Sequence, residues 1–223
     1  TQLIDWVRIP SVAGTPEHRQ DLTRSAEWLA HALSEGGFPD VELVPSGDSL
    51  AVLASWHVSN DAPTVLVYSH HDVRAASAEN WRTTSPFVPL VAGDRIYGRG
   101  CSDAKGQVLA HLWSIRAHLA ETGRSVPAVN LRWLIEGEEE LGSPHLQEML
   151  EQQREKLDAD IIVFSDTLQW RAGEPALCTS LRGMLSIQLE VQGPERDVHS
   201  GAASGPAPNP ALTLSRVVSA LYD

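Results

Sequence analysis

Cysteine is scarce in this chain: Cys101 and Cys178 are its only thiols in 223 residues. Two thiols cannot build a disulfide framework, and their scarcity points to a reducing compartment. No run of about eighteen apolar residues is present, which argues against a membrane-spanning helix. The residues after Thr1 also lack the charged, apolar and small-residue order of a signal peptide. Positive charge is short as well. Seventeen Lys and Arg against 29 Asp and Glu leave a formal charge of −12, the wrong sign for a nucleic-acid backbone, which needs clustered cations. Internal repeats and low-complexity tracts are absent. What remains is an acidic globular protein expected in the cytoplasm, with no nucleic-acid or membrane partner. It is long enough for one large domain, or one domain plus part of another.

Three short apolar runs stand out, at residues 64–69, 130–135 and 160–165, each β-branched or aromatic enough to read as a buried strand. Between them, residues 105–121 place Val108, Leu109, Leu112, Ile115, Ala117 and Leu119 on one broad helical face. Ser143-Pro144 reads as an N-cap and first helical position, which predicts a second helix over 144–156. An earlier helix is expected over 16–33, capped by Thr15 and closed by Gly36-Gly37. Turn signals at 80–100 predict loops and a short hairpin around Gly93-Asp94. The alternation of strand and helix defines an α/β fold with a helix-flanked, mostly parallel sheet. Near Leu181 the pattern changes: residues 184–192 alternate apolar and polar like a half-buried antiparallel strand. A Gly-, Ser- and Pro-rich loop follows, then a helix over 211–222.

Ionisable side chains cluster where the apolar runs end. A parallel α/β sheet collects the carboxyl ends of its strands along one edge, where ligands bind. His70-His71-Asp72 follows the first run. In extended backbone His70 and Asp72 share a side, so Asp72 can hold the imidazole in the tautomer a metal requires, with His71 facing away. A strand-end turn with exposed histidines explains the same residues. Asp103 sits among Gly98, Gly100 and Gly106 just before a helix, as a constrained ligand or as a carboxylate favoured by the helix dipole. Glu138-Glu139-Glu140 follows the second run. Packed like charges call for cations or protons, and adjacent glutamates can divide metal binding from proton transfer. A solvated acidic loop is the alternative. Asp166 after the third run, and His199 in Asp197-Val198-His199-Ser200-Gly201, are equally consistent with plain turns.

Taken together, the motifs Ser69-His70-His71-Asp72-Val73, Tyr97-Gly98-Arg99-Gly100-Cys101-Ser102-Asp103-Ala104-Lys105-Gly106, Glu136-Gly137-Glu138-Glu139-Glu140-Leu141-Gly142-Ser143, Ser165-Asp166, and Leu181-Arg182-Gly183 with Asp197 to Gly201 resemble the M20 family of metallopeptidases and amidohydrolases. The wording is most like its dipeptidase, carnosinase-like branch. The resemblance implies a zinc-peptidase-like catalytic domain over 1–180 and the beginning of an α+β lid and dimerisation domain over 181–223. It implies two divalent ions, zinc with manganese or cobalt as alternatives. His70, Asp103 and Asp166 would bind one ion, with Asp103 bridging to a second ion held also by Glu140. Glu139 would be the general base of a metal-activated water, and Asp72 would orient His70. His199 would reach across a homodimer to the substrate carbonyl. A cis peptide is implied between Asp103 and Ala104, although many relatives carry a second Asp at the latter position.

The family's last histidine ligand lies far downstream, and no histidine follows His199. The chain is therefore expected to be a fragment of a longer enzyme, about half of it, and weak or inactive alone. Three functions stay open: a metallopeptidase for dipeptides or short peptides, an amidohydrolase acting on N-acyl or N-succinyl amino acids, and a noncatalytic interaction domain. A general base at Glu139 speaks against the last.

Overall fold

The computed structural model describes residues 2–171, 173–203 and 205–222. They fall into two compact units, one running to Glu174 and one from Pro175. In the first, helices α1 (Gln2–Val7) and α2 (Arg19–Glu35) precede strands β1 (Asp40–Ser46), β2 (Ser49–Trp56) and β3 (Thr64–His70). A small hairpin, β4 (Leu90–Ala92) and β5 (Arg95–Tyr97), leads to helix α3 (Lys105–Thr122). Strand β6 (Asn130–Glu136), helices α4 (Leu146–Gln152) and α5 (Arg154–Leu157) and strand β7 (Ile161–Phe164) complete it.

The five main strands form one sheet in the order β1-β2-β6-β3-β7. β6, β3 and β7 are parallel neighbours, and only β2 runs against the rest. The three apolar runs of the sequence are therefore adjacent in space. Period-two alternation splits their side chains between two cores. Leu131, Trp133 and Ile135 of β6 join Val52, Ala54 and Val67 under Trp6, Leu29, Leu33, Val108, Leu109 and Leu112. Leu134 joins Leu53 and Leu66 on the other face, under Met149 and Leu157. Strands covered on both faces, as β3 and β6 largely are, read as continuous apolar runs, whereas the apolar run of β7 lies at the sheet's edge with Ile161, Ile162 and Phe164 exposed.

Several local details depart from the sequence reading. Residues 16–18 form a 3-10 turn before α2, and the Thr15 hydroxyl donates to the Val12 carbonyl instead of capping. Ser143 takes a left-handed φ of 52° and its hydroxyl donates to the Glu136 carboxylate, so the helix expected from Pro144 begins at Leu146 and breaks at Gln153. In the second unit the stretch 184–192 has no strand partner among the described residues, and Met184 is 89% exposed. One extended segment cannot satisfy its own backbone groups without a neighbour. Helices α6 (Ser200–Ala203) and α7 (Pro210–Ala220) follow, the latter opened by Asn209, whose side-chain oxygen accepts the Ala211 and Leu212 N–H groups. Among the described residues no helix is long and apolar enough to cross a membrane.

Lys105, the first residue of α3, is fully buried, and its ammonium donates to the Trp6 and Ile9 carbonyls at 3.1 and 2.8 Å. Burial pulls its pKa down from 10.5 to about 7, against the opposing pull of Asp72, Cys101 and Asp21. Between those two values the unfolded chain carries a proton that the folded one has released. The Lys105 contribution to stability should therefore rise with pH across that window, by up to about 1.4 kcal/mol per unit, with the raised His70 pulling the other way up to about pH 9. Urea unfolding at several pH values should show a more positive slope across the window in the wild type than in Lys105→Met. Equal slopes would contradict the assignment.

Candidate metal centre

The site begins with the register of two strands. His70 ends β3 opposite Glu136 at the end of β6, so the chain leaves both strands at the same edge. The His71 N–H donates to the Glu136 carbonyl, and the Val73 N–H donates to the Ser11 carbonyl, which pins the turn after β3. His70 is completely buried. Its Nδ1 lies 3.2 Å from Asp72 Oδ1 and 3.1 Å from the Asp72 carbonyl. With Nδ1–H donated there, Nε2 presents its lone pair to the cleft.

Around that nitrogen stand three carboxylates: Asp103 Oδ1 at 3.0 Å, Asp166 Oδ1 at 3.9 Å and Glu139 Oε2 at 4.0 Å. One donor atom each from His70, Asp103 and Asp166 lie within 4.8 Å of one another. Burial alone would lower the His70 pKa, yet the hydrogen bond and charge of Asp72, with Glu139 and Asp166, push it up to about 9. The carboxylates around this imidazole thus favour positive charge at its edge of the cleft. That is the electrostatic demand a bound cation meets, and imidazole with carboxylates is a donor set suited to zinc. The residues present fit a divalent ion.

Each candidate ligand is carried by a braced segment. Asp103 follows a loop folded tightly on itself: a Cβ at Gly106 would sit 1.9 Å from the Cys101 carbonyl, so only glycine permits that approach. The peptide between Asp103 and Ala104 is cis. Asp166 follows Ser165, whose carbonyl accepts the Ser69 hydroxyl at 2.8 Å and whose own hydroxyl meets His111 Nε2 at 2.7 Å. Gln107 of α3 links the segments bearing Asp103 and Asp166, donating to the Ser102 carbonyl and accepting the Thr167 N–H. Nothing in the sequence pattern marks Gln107 or His111, because Thr167 and Ser165, which they meet, are distant in the chain.

Asp72 reaches further than His70. Its two carboxylate oxygens accept the backbone N–H groups of Glu139 and Glu140 at 3.2 and 3.0 Å, so one buried side chain orients the imidazole and the glutamate loop together. Glu139 stands at the rim, 34% exposed. Burial, then the charges of Asp166, Glu140 and Asp72 against the opposing His70, raise its pKa. Glu140 is raised by burial and by Asp103, and lies 3.6 Å from Arg74 Nε, a neighbour the sequence reading did not assign. Glu140 is outside the three-residue donor group. His71 turns away, its Nε2 donating to the Leu50 carbonyl. His199 belongs to the second unit, where its Nδ1 accepts the Gly201 N–H.

Fold and donor set together define a class: an α/β protein with a candidate cation site at the carboxyl ends of its parallel strands. More particularly, the chain belongs to peptidase family M20/M25/M40, whose sequence model matches residues 66–215. It is 34% identical over 210 residues to a cysteinylglycine-S-conjugate dipeptidase of Corynebacterium striatum, covering 93% of this chain and 45% of that protein. To a human Beta-Ala-His dipeptidase it is 33% identical over 235 residues, 99% of this chain and 46% of that one. The crystal structure of an M20 family metallo-carboxypeptidase, Sso-CP2 from Sulfolobus solfataricus, superposes with a TM-score of 0.73 at 30% identity, over 99% of this chain and 49% of its own. The chain spans about half the length of the relatives it matches.

Proposed function

We propose that this chain carries the metal-binding part of a divalent-metal-dependent hydrolase that cleaves the peptide bond of dipeptides or short peptides. The observation that carries the reading is the convergence of His70, Asp103 and Asp166 on one point of the sheet edge, backed by Asp72. In this reading His70, Asp103 and Asp166 hold one ion, and Asp103 with Glu140 takes part in holding a second. Zinc suits these donors best, with manganese and cobalt as alternatives. A divalent ion held there supplies Lewis acidity, lowering the pKa of water and polarising a carbonyl.

The protein's own groups do the rest. Asp72 keeps His70 in the ligating tautomer and holds the Glu139 backbone. Glu139 takes the proton from the attacking water at its carboxylate and returns it to the leaving amine nitrogen. The raised pKa of Glu139 suits it to both transfers. Residues from Leu181 onward begin a lid and dimerisation domain in this reading, with His199 directed to a substrate carbonyl in the partner of a homodimer. The whole protein works in the cytoplasm. Preference for peptides over N-acyl amino acids follows the relatives, whose names describe Cys-Gly and Beta-Ala-His dipeptidases.

The test is an assay of the full-length protein, stripped of metal and reloaded with zinc, manganese or cobalt, against dipeptides and N-acyl amino acids. Dipeptide cleavage that vanishes with chelator and returns with metal is expected. Exclusive hydrolysis of N-acyl amino acids would make the protein a deacylase, and activity indifferent to chelation would remove the metal from the account.

A further inference from the structure

Three consecutive glutamates leave β6, and they do not face the same way. Glu139 and Glu140 border the cleft, whereas Glu138 turns its side chain inward, with only 6% of it exposed. There its carboxylate accepts the Asp48 backbone N–H at 3.3 Å and meets His145 Nδ1 at 2.8 Å. Its own carbonyl accepts the N–H groups of Leu141 and Ser143 at 3.0 and 3.1 Å. A buried carboxylate is costly unless donors surround it, and here they come from two segments. Asp48 belongs to the β1–β2 turn, and His145 stands at the start of α4.

That turn packs directly on the pair. Gly47 has a φ of 55°, and a Cβ there would come within 2.3 Å of Glu138 Oε1 and 2.4 Å of His145 Nδ1. Asp48 is tied in turn to Arg19 at the start of α2, at 2.8 Å. The short loop bearing Glu139 and Glu140 is consequently fastened from two sides. Asp72 holds its backbone amides at the cleft, and Glu138 fixes its root against the turn and α4. Neutral His145 with its proton on Nδ1 still donates to Glu138, so the bridge does not depend on imidazolium.

We propose that Glu138 is a positioning residue for the metal centre: through the Asp48 N–H and His145 it fixes the loop that delivers Glu139 and Glu140, and so sets cation affinity and geometry without touching the cation. The inference rests on the reading of His70, Asp103, Glu140 and Asp166 as ligands. Groups that orient ligands from behind change metal affinity by about 10–100-fold when removed, which sets the size of the effect.

The test is cobalt titration of the metal-stripped full chain, followed by the visible ligand-field bands, for the wild type and for Glu138→Ala, Glu138→Gln, His145→Ala and His145→Gln. Thermal melting of each metal-free variant runs alongside. Glu138→Ala should bind cobalt about 10–100-fold more weakly, with altered bands. Glu138→Gln keeps an acceptor and should recover most of the loss. His145→Ala, at an exposed side chain, should shift affinity the same way and be rescued by Gln, which keeps the test open if Glu138→Ala does not fold. Variants that melt earlier yet bind cobalt with wild-type affinity and bands would overturn the proposal, leaving Glu138 a merely structural group. A wild type that binds no cobalt would overturn the metal-centre reading and this inference together, whereas binding that no variant alters overturns this inference alone.

Discussion

Glu139→Gln in the full-length protein is expected to lower the proposed dipeptide turnover by about 10²–10⁴-fold while leaving ion affinity little changed. The side chain sits at the rim, where water reaches it, and its backbone N–H is fixed by Asp72, so the amide occupies the same place. In the proposed mechanism, only the ability to take and return a proton would be lost. The pKa of Glu139 is raised by burial first and by Asp166, Glu140 and Asp72 beyond that, with His70 opposing. A carboxyl moved toward neutrality is better matched to carrying a proton in both directions. Turnover and cobalt affinity measured on the same preparation separate the two roles. Loss of affinity equal to the loss of turnover would make Glu139 a ligand, and unchanged turnover would remove it from the chemistry.

Asp103→Ala should have the largest effect on binding. Its carboxylate is the group nearest His70 Nε2, at 3.0 Å, and its charge also acts on Glu140, so both candidate ion positions depend on it. Removing a group behind a ligand costs about 10–100-fold in affinity, and removal of the ligand itself should exceed that. Because Asp103 is largely exposed, folding should survive, as melting of the metal-free protein would show. Retention of full cobalt affinity would place the ions elsewhere.

The sheet's centre was legible because β3 and β6 are largely buried, which writes them as continuous apolar runs, whereas β7 is an equally apolar run that lies exposed at the sheet's edge; the candidate ligands His70 and Asp166 follow β3 and β7. The β1–β2 hairpin lies outside that reading: Pro45 and the charged residues Asp40 and Glu42 dilute the strand pattern of β1. Ser143-Pro144 has the residue types of a helix start, but the Ser143 hydroxyl is recruited by Glu136 and the turn takes a left-handed path. The alternation at 184–192 reads as a strand, yet that stretch forms none among the described residues, since an extended segment needs a neighbour to satisfy its backbone groups. At the site, residue types at strand ends pointed to His70 and Asp166, and the glycines around Asp103 pointed to a constrained carboxylate before a helix. The braces Gln107, His111, Arg74 and His145 were hidden because their contacts depend on tertiary proximity, which local pattern does not encode.

The proposed metal centre is tested most directly by anomalous diffraction at the zinc absorption edge from crystals of the zinc-loaded protein. It predicts a strong peak about 2.0–2.2 Å from His70 Nε2 and from carboxylate oxygens of Asp103 and Asp166, with a second peak beside Asp103 and Glu140. Anomalous density confined to other surfaces, with that cleft empty, would contradict it.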